Sequence, residues 1–369
     1  MEKKRIVYLD MVRIIACILV VLVHVSAQWM ERMAVPAETS AQWIGRPEVT
    51  GVDFAVTNAF HILAFSGVSL FVMISGALAL NPNKEEDLKT LLVKRTLHFF
   101  VLYYIWKFFF QIVTMLEKGI AFTPDTIKEE LILALVKQRG YYHLWYLPMI
   151  AILYMAVPFV KKGFADKKIC RYFLAVFFIT ALLFPTLFLY EFKFKYLFVS
   201  FFEANDFSLF GGYLGYFVLG HYLHNWRGDI TVRKRRIIGV VGLVSFVLAC
   251  ILGTAASRQA GEPVYSMQTP FVVTNFLTSA ALFCVIQGLE GKLEKKEKAA
   301  KCIAFAAGTT LGIYLLHPLV LNLFLAVGFD TAICSPILSV PLVLIAAVLV
   351  SGGIAALLLK VPGLRKLIT

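Results

Sequence analysis

Ten apolar runs begin near Ile6, His61, Arg95, Leu144, Tyr172, Phe207, Ile237, Phe271, Ile303 and Pro336. A hydrocarbon core about 30 Å thick is crossed by about 20 helical residues, and backbone groups inside lipid must be hydrogen-bonded within the segment that carries them. The runs therefore predict an all-α, polytopic integral membrane protein with about ten transmembrane helices. A mean hydropathy of +0.77 and a charged fraction of only 16% exclude an ordinary soluble domain.

The charge lies between the runs. A formal charge of +13 would suit a nucleic-acid partner if the basic residues formed one patch, but they are spread over many short segments. Segments on the N-terminal side of the membrane hold 25 Lys and Arg residues, whereas the opposite side holds nine: Arg32, Arg46, Lys118, Lys128, Lys137, Arg139, Lys193, Lys195 and Arg258. The positive-inside rule then places both termini in the cytoplasm, requires an even number of spans, and makes membrane lipids rather than nucleic acid the surrounding partner. The expected location is a cell membrane, crossed several times.

Within the first run, Arg13-Ile-Ile-Ala-Cys-Ile-Leu-Val-Val-Leu-Val-His24 carries an ionisable residue at each end. Such side chains are costly inside a bilayer and mark functional positions. Eleven residues make about three helical turns, so Arg13 and His24 share a face about 16 Å apart along the axis, with Asp10 on nearly the same stripe. Arg13 can snorkel to the interface or offer a planar fork of donors to phosphate. His24 can be a packed histidine or a neutral imidazole acting as general base. A signal peptide is also suggested by the basic start and by Val25-Ser26-Ala27, but the run is long enough to span and residues 1–27 are expected to be retained.

The other segments offer further candidates. Residues 28–58 contain Trp29, Trp43, Asp53 and Asn58, and are expected on the outer side. Residues 126–136 fit an amphipathic helix lying on the membrane. Residues 191–206 mix aromatics with Glu203, Asn205 and Asp206, as an interfacial belt or a sugar-binding surface would. Ser75 and Gly76 read as helix-packing residues. His61, His143, His221 and His317 lie at span ends or inside spans, where each taken singly is more often structural. His143-Leu-Trp145-Tyr-Leu-Pro148 serves equally as an interface anchor or as a wall of an acceptor site.

The six cysteines show no disulfide or metal-ligand spacing, so packing roles are expected and no metal site is predicted. A Gly-rich phosphate loop and a Gly-x-Ser-x-Gly elbow are both missing, which excludes soluble-type nucleotide hydrolysis and a serine-esterase mechanism. Inner loops are too short for a folded domain, so residues 1–369 are expected to form a single membrane domain without a fused soluble one.

Taken together, these stretches resemble the acyltransferase-3 family of integral membrane acyltransferases, which includes bacterial O-acetyltransferases of surface polysaccharides. The resemblance rests on Leu9-Asp10 with Arg13 and His24; Phe71-Val-Met-Ile-Ser75-Gly76; His143-Leu-Trp145-Tyr-Leu; Leu214-Gly-Tyr-Phe-Val-Leu-Gly220; Gly312-Ile-Tyr-Leu-Leu-His317-Pro318; and Pro362-Gly-Leu-Arg365. It departs where the family often has Arg-x-x-Arg, since this chain reads Arg95-Thr-Leu-His98, with Lys94 and Arg95 keeping the charge.

The resemblance implies transfer of an acetyl or other short acyl group from cytoplasmic acyl-CoA, a substrate rather than a bound cofactor. The acceptor would be a hydroxyl or amine of an extracytoplasmic glycan, glycolipid or related molecule. It assigns His24 as base or acyl carrier, Arg13, Lys94 and Arg95 as donor contacts, and His143, Trp145 and His317 as acceptor-site residues; oligomeric state is left unassigned. Some relatives are fused to amino-acid racemases and linked to uptake. A transporter or flippase using Arg13 and His24 as substrate or proton ligands is therefore the alternative.

Overall fold

The computed structural model describes residues 5–34, 51–83, 87–136, 141–204, 211–260 and 262–368. Trp43, Arg46, Lys137, Arg139, Asn205, Asp206 and the predicted run start at Phe207 lie outside the described residues. Among those described, the regular structure is helical. The longer helices are α1 (Val7–Ala34), α2 (Gly51–Ala79), α3 (Leu88–Glu117), α4 (Pro124–Val136), α5 (Tyr146–Val160) and α6 (Lys167–Leu187). They continue as α7 (Lys195–Ala204), α8 (Leu214–Asn225), α9 (Val232–Ala260), α10 (Val273–Gln287), α11 (Glu297–Ala326) and α12 (Pro336–Leu358).

Seven of these, α1, α2, α3, α6, α9, α11 and α12, belong to stretches long and apolar enough to cross a membrane. The apolar helices α5 and α10 have 15 residues each, about 22 Å of helix, and α8 has 12. Each predicted run thus contains a helix, and the protein is an all-α, multi-pass membrane protein. On α9, the exposed Val240, Leu243, Val244, Val247, Leu248 and Ile251 recur at three- and four-residue spacing and make a continuous apolar stripe suited to lipid.

The second run starts earlier than its hydropathy suggests. Helix α2 begins at Gly51 rather than near His61, and α1 continues to Ala34, so Trp29, Asp53 and Asn58 are helical rather than loop residues. Their polar atoms find partners. Trp29 is buried and donates Nε1–H to the Thr331 carbonyl at 2.7 Å, while Asn58 donates to Thr254 Oγ1 at 3.2 Å and accepts from Gln268 Nε2 at 3.0 Å. An amide bonded at both ends loses most of the penalty for burial, which a hydropathy pattern cannot register.

By contacts the chain forms two compact units, Met1–Leu78 with Lys167–Thr369, and Ala79–Asp166. In the first, α1 packs against α2, α11 and α12 and touches α10, while α9 lies along α10 and α2, and α8 packs on α6. The regular course of α2 is interrupted at Phe65, just before Ser66 and Gly67, a residue pair at which helices commonly kink. Gly67 lets α2 approach α1 closely, because a Cβ there would sit 2.9 Å from both the Ala16 carbonyl oxygen and the Val20 nitrogen.

Gly76 and Gly220 form a reciprocal contact between α2 and α8. A Cβ on Gly76 would lie 1.8 Å from the Phe217 carbonyl oxygen, and one on Gly220 would lie 1.9 Å from that of Met73. This is the packing role expected for Gly76. In the second unit, α3 packs with α4 and α5, and Gln111 of α3 hydrogen-bonds Glu130 of α4. After a first α-helical turn at Leu88–Leu91, helix α3 passes through a π-helical turn at Leu92–Leu97.

Candidate functional site

Helix α1 carries the site because it can run unbroken. No proline occurs before Pro36, and its long apolar side chains bury well in a helical stripe. Near its start, the carboxylate of Asp10 is buried at 6% exposure between two guanidinium groups: Arg5 Nε at 3.2 Å and Arg13 Nη1 at 3.4 Å. Arg13 is partly exposed and holds Asp10 at a single point rather than by a bidentate fork. The fork geometry remains suited to a second, more highly charged oxyanion.

The same end of the first unit contains a polar contact among three elements. Tyr8 of α1 hydrogen-bonds His224 Nδ1 of α8, and Gln287 Nε2 of α10 lies 3.4 Å from the Tyr8 hydroxyl and 3.0 Å from the Leu223 carbonyl. Arg227 pairs with Glu290 beside it, Nε to Oε2 at 3.5 Å. None of these residues stands out in the sequence, since each partner is remote along the chain.

Further along α1, His24 stacks on His317 of α11, with ring centroids 5.1 Å apart and planes inclined by 26°. His317 is fully buried, and its ring turns back on its own helix. Pro318 lies inside α11 and has no amide proton to give the Tyr314 carbonyl, so this turn has a spare acceptor. His317 turns its Nδ1–H back on the turn, bonding the Ile313 carbonyl at 3.1 Å with the Tyr314 carbonyl also in range. That bond fixes the tautomer and leaves Nε2 as the acceptor nitrogen.

A third histidine belongs to this end. His61 of α2 is buried, its ring edge-on to Phe65 at 5.3 Å, and its Nδ1 is 2.7 Å from the hydroxyl of Ser26 on α1. Through Ser26 it meets α1 two residues beyond His24. Among the described residues, no group of three or more His, Cys, Asp and Glu side chains is placed to hold a metal ion.

The structure therefore brings His24 and His317 together and leaves Arg13 at the far end of the same helix. The remaining predicted residues belong to the second unit. Lys94 is exposed and Arg95 partly buried, and both lie in the π-helical turn near the start of α3, a distortion often found at functional positions. The Arg95 guanidinium lies 6.0 Å from the centroid of the Tyr154 ring. His143 is buried in an aromatic box, 5.0 Å from Phe110, 5.8 Å from Tyr141 and 5.7 Å from Tyr142. Trp145, by contrast, is 44% exposed, a position open to an interface or to a ligand.

Two other features carry chemistry. Lys107, a buried lysine within α3, lies over the rings of Tyr103 and Tyr104 at 5.2 and 5.9 Å, a cation–π setting that the surrounding aromatic run conceals in the sequence. In the first unit, a cavity of about 480 Å³ is lined by Thr180, Pro185, Phe188, Phe202, Glu203 and Phe271. It gathers part of the aromatic and acidic segment 191–206 beside a second π-helical turn, Phe178–Leu183.

A family model described as an acyltransferase domain, that of acyltransferase family 3, matches residues 6–356, nearly the whole chain. The match takes in most of both units and includes Arg13, His24, Lys94, Arg95, His143, Trp145 and His317. No curated protein and no solved structure matches the chain significantly.

Proposed function

The chain belongs to acyltransferase family 3 and is a membrane acyltransferase; within that class we propose that it moves an acetyl or other short acyl group from cytoplasmic acyl-CoA to an extracytoplasmic acceptor. The acceptor would be a hydroxyl or amine on an envelope glycan, glycolipid or related molecule, and the location a bacterial plasma membrane. The observation that carries this reading is the arrangement on α1. An arginine able to take a phosphate stands at one end, and a histidine stacked on a second histidine stands about 16 Å along the same face. The excess of basic residues on the N-terminal side supports placing the Arg13 end toward the cytoplasm, where CoA thioesters occur.

Arg13 holds a donor phosphate, and Lys94 and Arg95 are proposed donor contacts because they keep positive charge where the family often has Arg-x-x-Arg. His24 takes the proton of the acceptor hydroxyl or briefly carries the acyl group, and His317 orients it by stacking. In direct transfer the acceptor O–H bond breaks, a C–O bond forms at the acyl carbon, and the C–S bond to CoA breaks, with the thiolate regaining a proton. His143 and Trp145 are proposed acceptor-site residues. The family match favours transfer over transport.

Mass spectrometry of envelope glycans and glycolipids from cells with and without the protein tests this reading. An acyl substituent present only with the protein supports it. Identical acylation, with a small-molecule uptake that depends on the protein, would support the transporter instead.

A further inference from the structure

Ser26 and His61 form a contact that none of the proposed steps above uses. Ser26 lies two residues beyond His24, about 3 Å further from the Arg13 end of α1. Its hydroxyl is 2.6 Å from the Leu22 carbonyl and 2.7 Å from His61 Nδ1. A serine hydroxyl has one proton to give, and the carbonyl can only accept. The Ser26 proton therefore goes to Leu22, and His61 Nδ1–H donates to Ser26 Oγ. That bond fixes the tautomer of a buried imidazole held against α1 two residues beyond His24 and puts its lone pair on Nε2, as the Ile313 bond does for His317.

We propose that His61, oriented by Ser26, is a second general base of the transfer site, one that takes the proton of the attacking acceptor while His24 handles the acyl group. This rests on the acyltransferase reading. The reaction removes a proton from the acceptor and returns one to the CoA sulfur, and in the proposed orientation these events belong to opposite ends of α1. His61 contacts α1 beyond His24, on the acceptor side. In the step, the acceptor O–H breaks and its proton passes to His61 Nε2. The acceptor oxygen bonds the acyl carbon, and the acyl carbon leaves either His24 or CoA. His61 then releases its proton to water, and the CoA thiolate is protonated from water, so the balance is acyl-CoA plus alcohol giving ester plus CoA.

A histidine that merely packs would need only its Nδ1–H bond to Ser26. His61→Asn separates the two roles, since the asparagine amide can still donate from nearly the Nδ1 position but has no nitrogen at Nε2. The probe is acetyl-CoA with the purified full-length chain in detergent, where both faces are accessible, and CoA release is followed with either water or hydroxylamine as acceptor. Water needs a base to attack, whereas hydroxylamine attacks without one. His61→Asn should slow hydrolysis by about 10²-fold or more while hydroxylaminolysis stays near the parental rate, which also shows that the variant is folded. Ser26→Ala should slow hydrolysis less, again sparing hydroxylaminolysis. Hydrolysis by His61→Asn at the parental rate would overturn the proposal, as would equal losses with both acceptors. A parental protein that consumes no acetyl-CoA with either acceptor would overturn the acyltransferase reading itself, a result distinct from either of these.

Discussion

Arg13 touches a carboxylate through one nitrogen, whereas His24 lies against another imidazole, and these settings predict different kinetic faults. Arg13→Ala should weaken acetyl-CoA binding about 10- to 100-fold, the value of one charge-assisted hydrogen bond of roughly 1.5–3 kcal/mol. Arg13→Lys should lose less, because it keeps the charge but not the fork. His24→Gln should leave donor affinity nearly unchanged. Equilibrium binding of acetyl-CoA to the three purified variants checks the set, and equal affinities throughout would remove Arg13 from the donor site. The two ends were legible in the sequence because an ionisable residue in an apolar run announces itself, and His317 was legible through Tyr-Leu-Leu-His-Pro. Ser26–His61 was not, since its partners lie 35 residues apart and a serine near a span end has many uses. Lys107 was hidden for another reason, being embedded in an aromatic run whose hydropathy absorbs one charge.

The reciprocal Gly76–Gly220 contact makes a prediction at the scale of the helix. Alanine at Gly220 would drive its Cβ into the backbone of Met73, where no side-chain rotation relieves the overlap. Gly220→Ala is expected to destabilise the protein by about 3 kcal/mol or more, the upper range for overpacking. Gly308 on α11 has open space where a Cβ would go, so Gly308→Ala should be neutral or stabilising by up to about 1 kcal/mol. Thermal unfolding of both variants in detergent distinguishes them, and equal melting temperatures would contradict the close approach. The apolar helices were readable from hydropathy alone, whereas α7 (Lys195–Ala204), in the mixed segment 191–206, was not. The start of α2 was not, because Asn58 and His61 break the apolar pattern although tertiary hydrogen bonds satisfy them. Nor were the π-helical turns at Leu92–Leu97 and Phe178–Leu183, whose residues read as ordinary helix.

At the scale of the whole molecule, function depends on orientation. The basic-residue bias predicts that a cysteine replacing Glu262, exposed in the connection after α9, reacts with an impermeant thiol reagent in intact cells. One replacing Lys295, exposed before α11, should react only after lysis. A cysteine-free background keeps native thiols such as the exposed Cys302 from contributing. The opposite pattern would invert the proposed donor and acceptor faces. With orientation set, the central claim is that an acyl group crosses the membrane by way of His24 while CoA stays behind. Inside-out membrane vesicles, which retain native acceptors in their lumen, test it directly when supplied externally with acetyl-CoA labelled in the acetyl group. The account predicts label accumulating in lumenal glycan or lipid, with free CoA released outside, and a loss of about 10²–10⁴-fold for a folded His24→Gln variant. Label entering the lumen at the parental rate in that variant would contradict it.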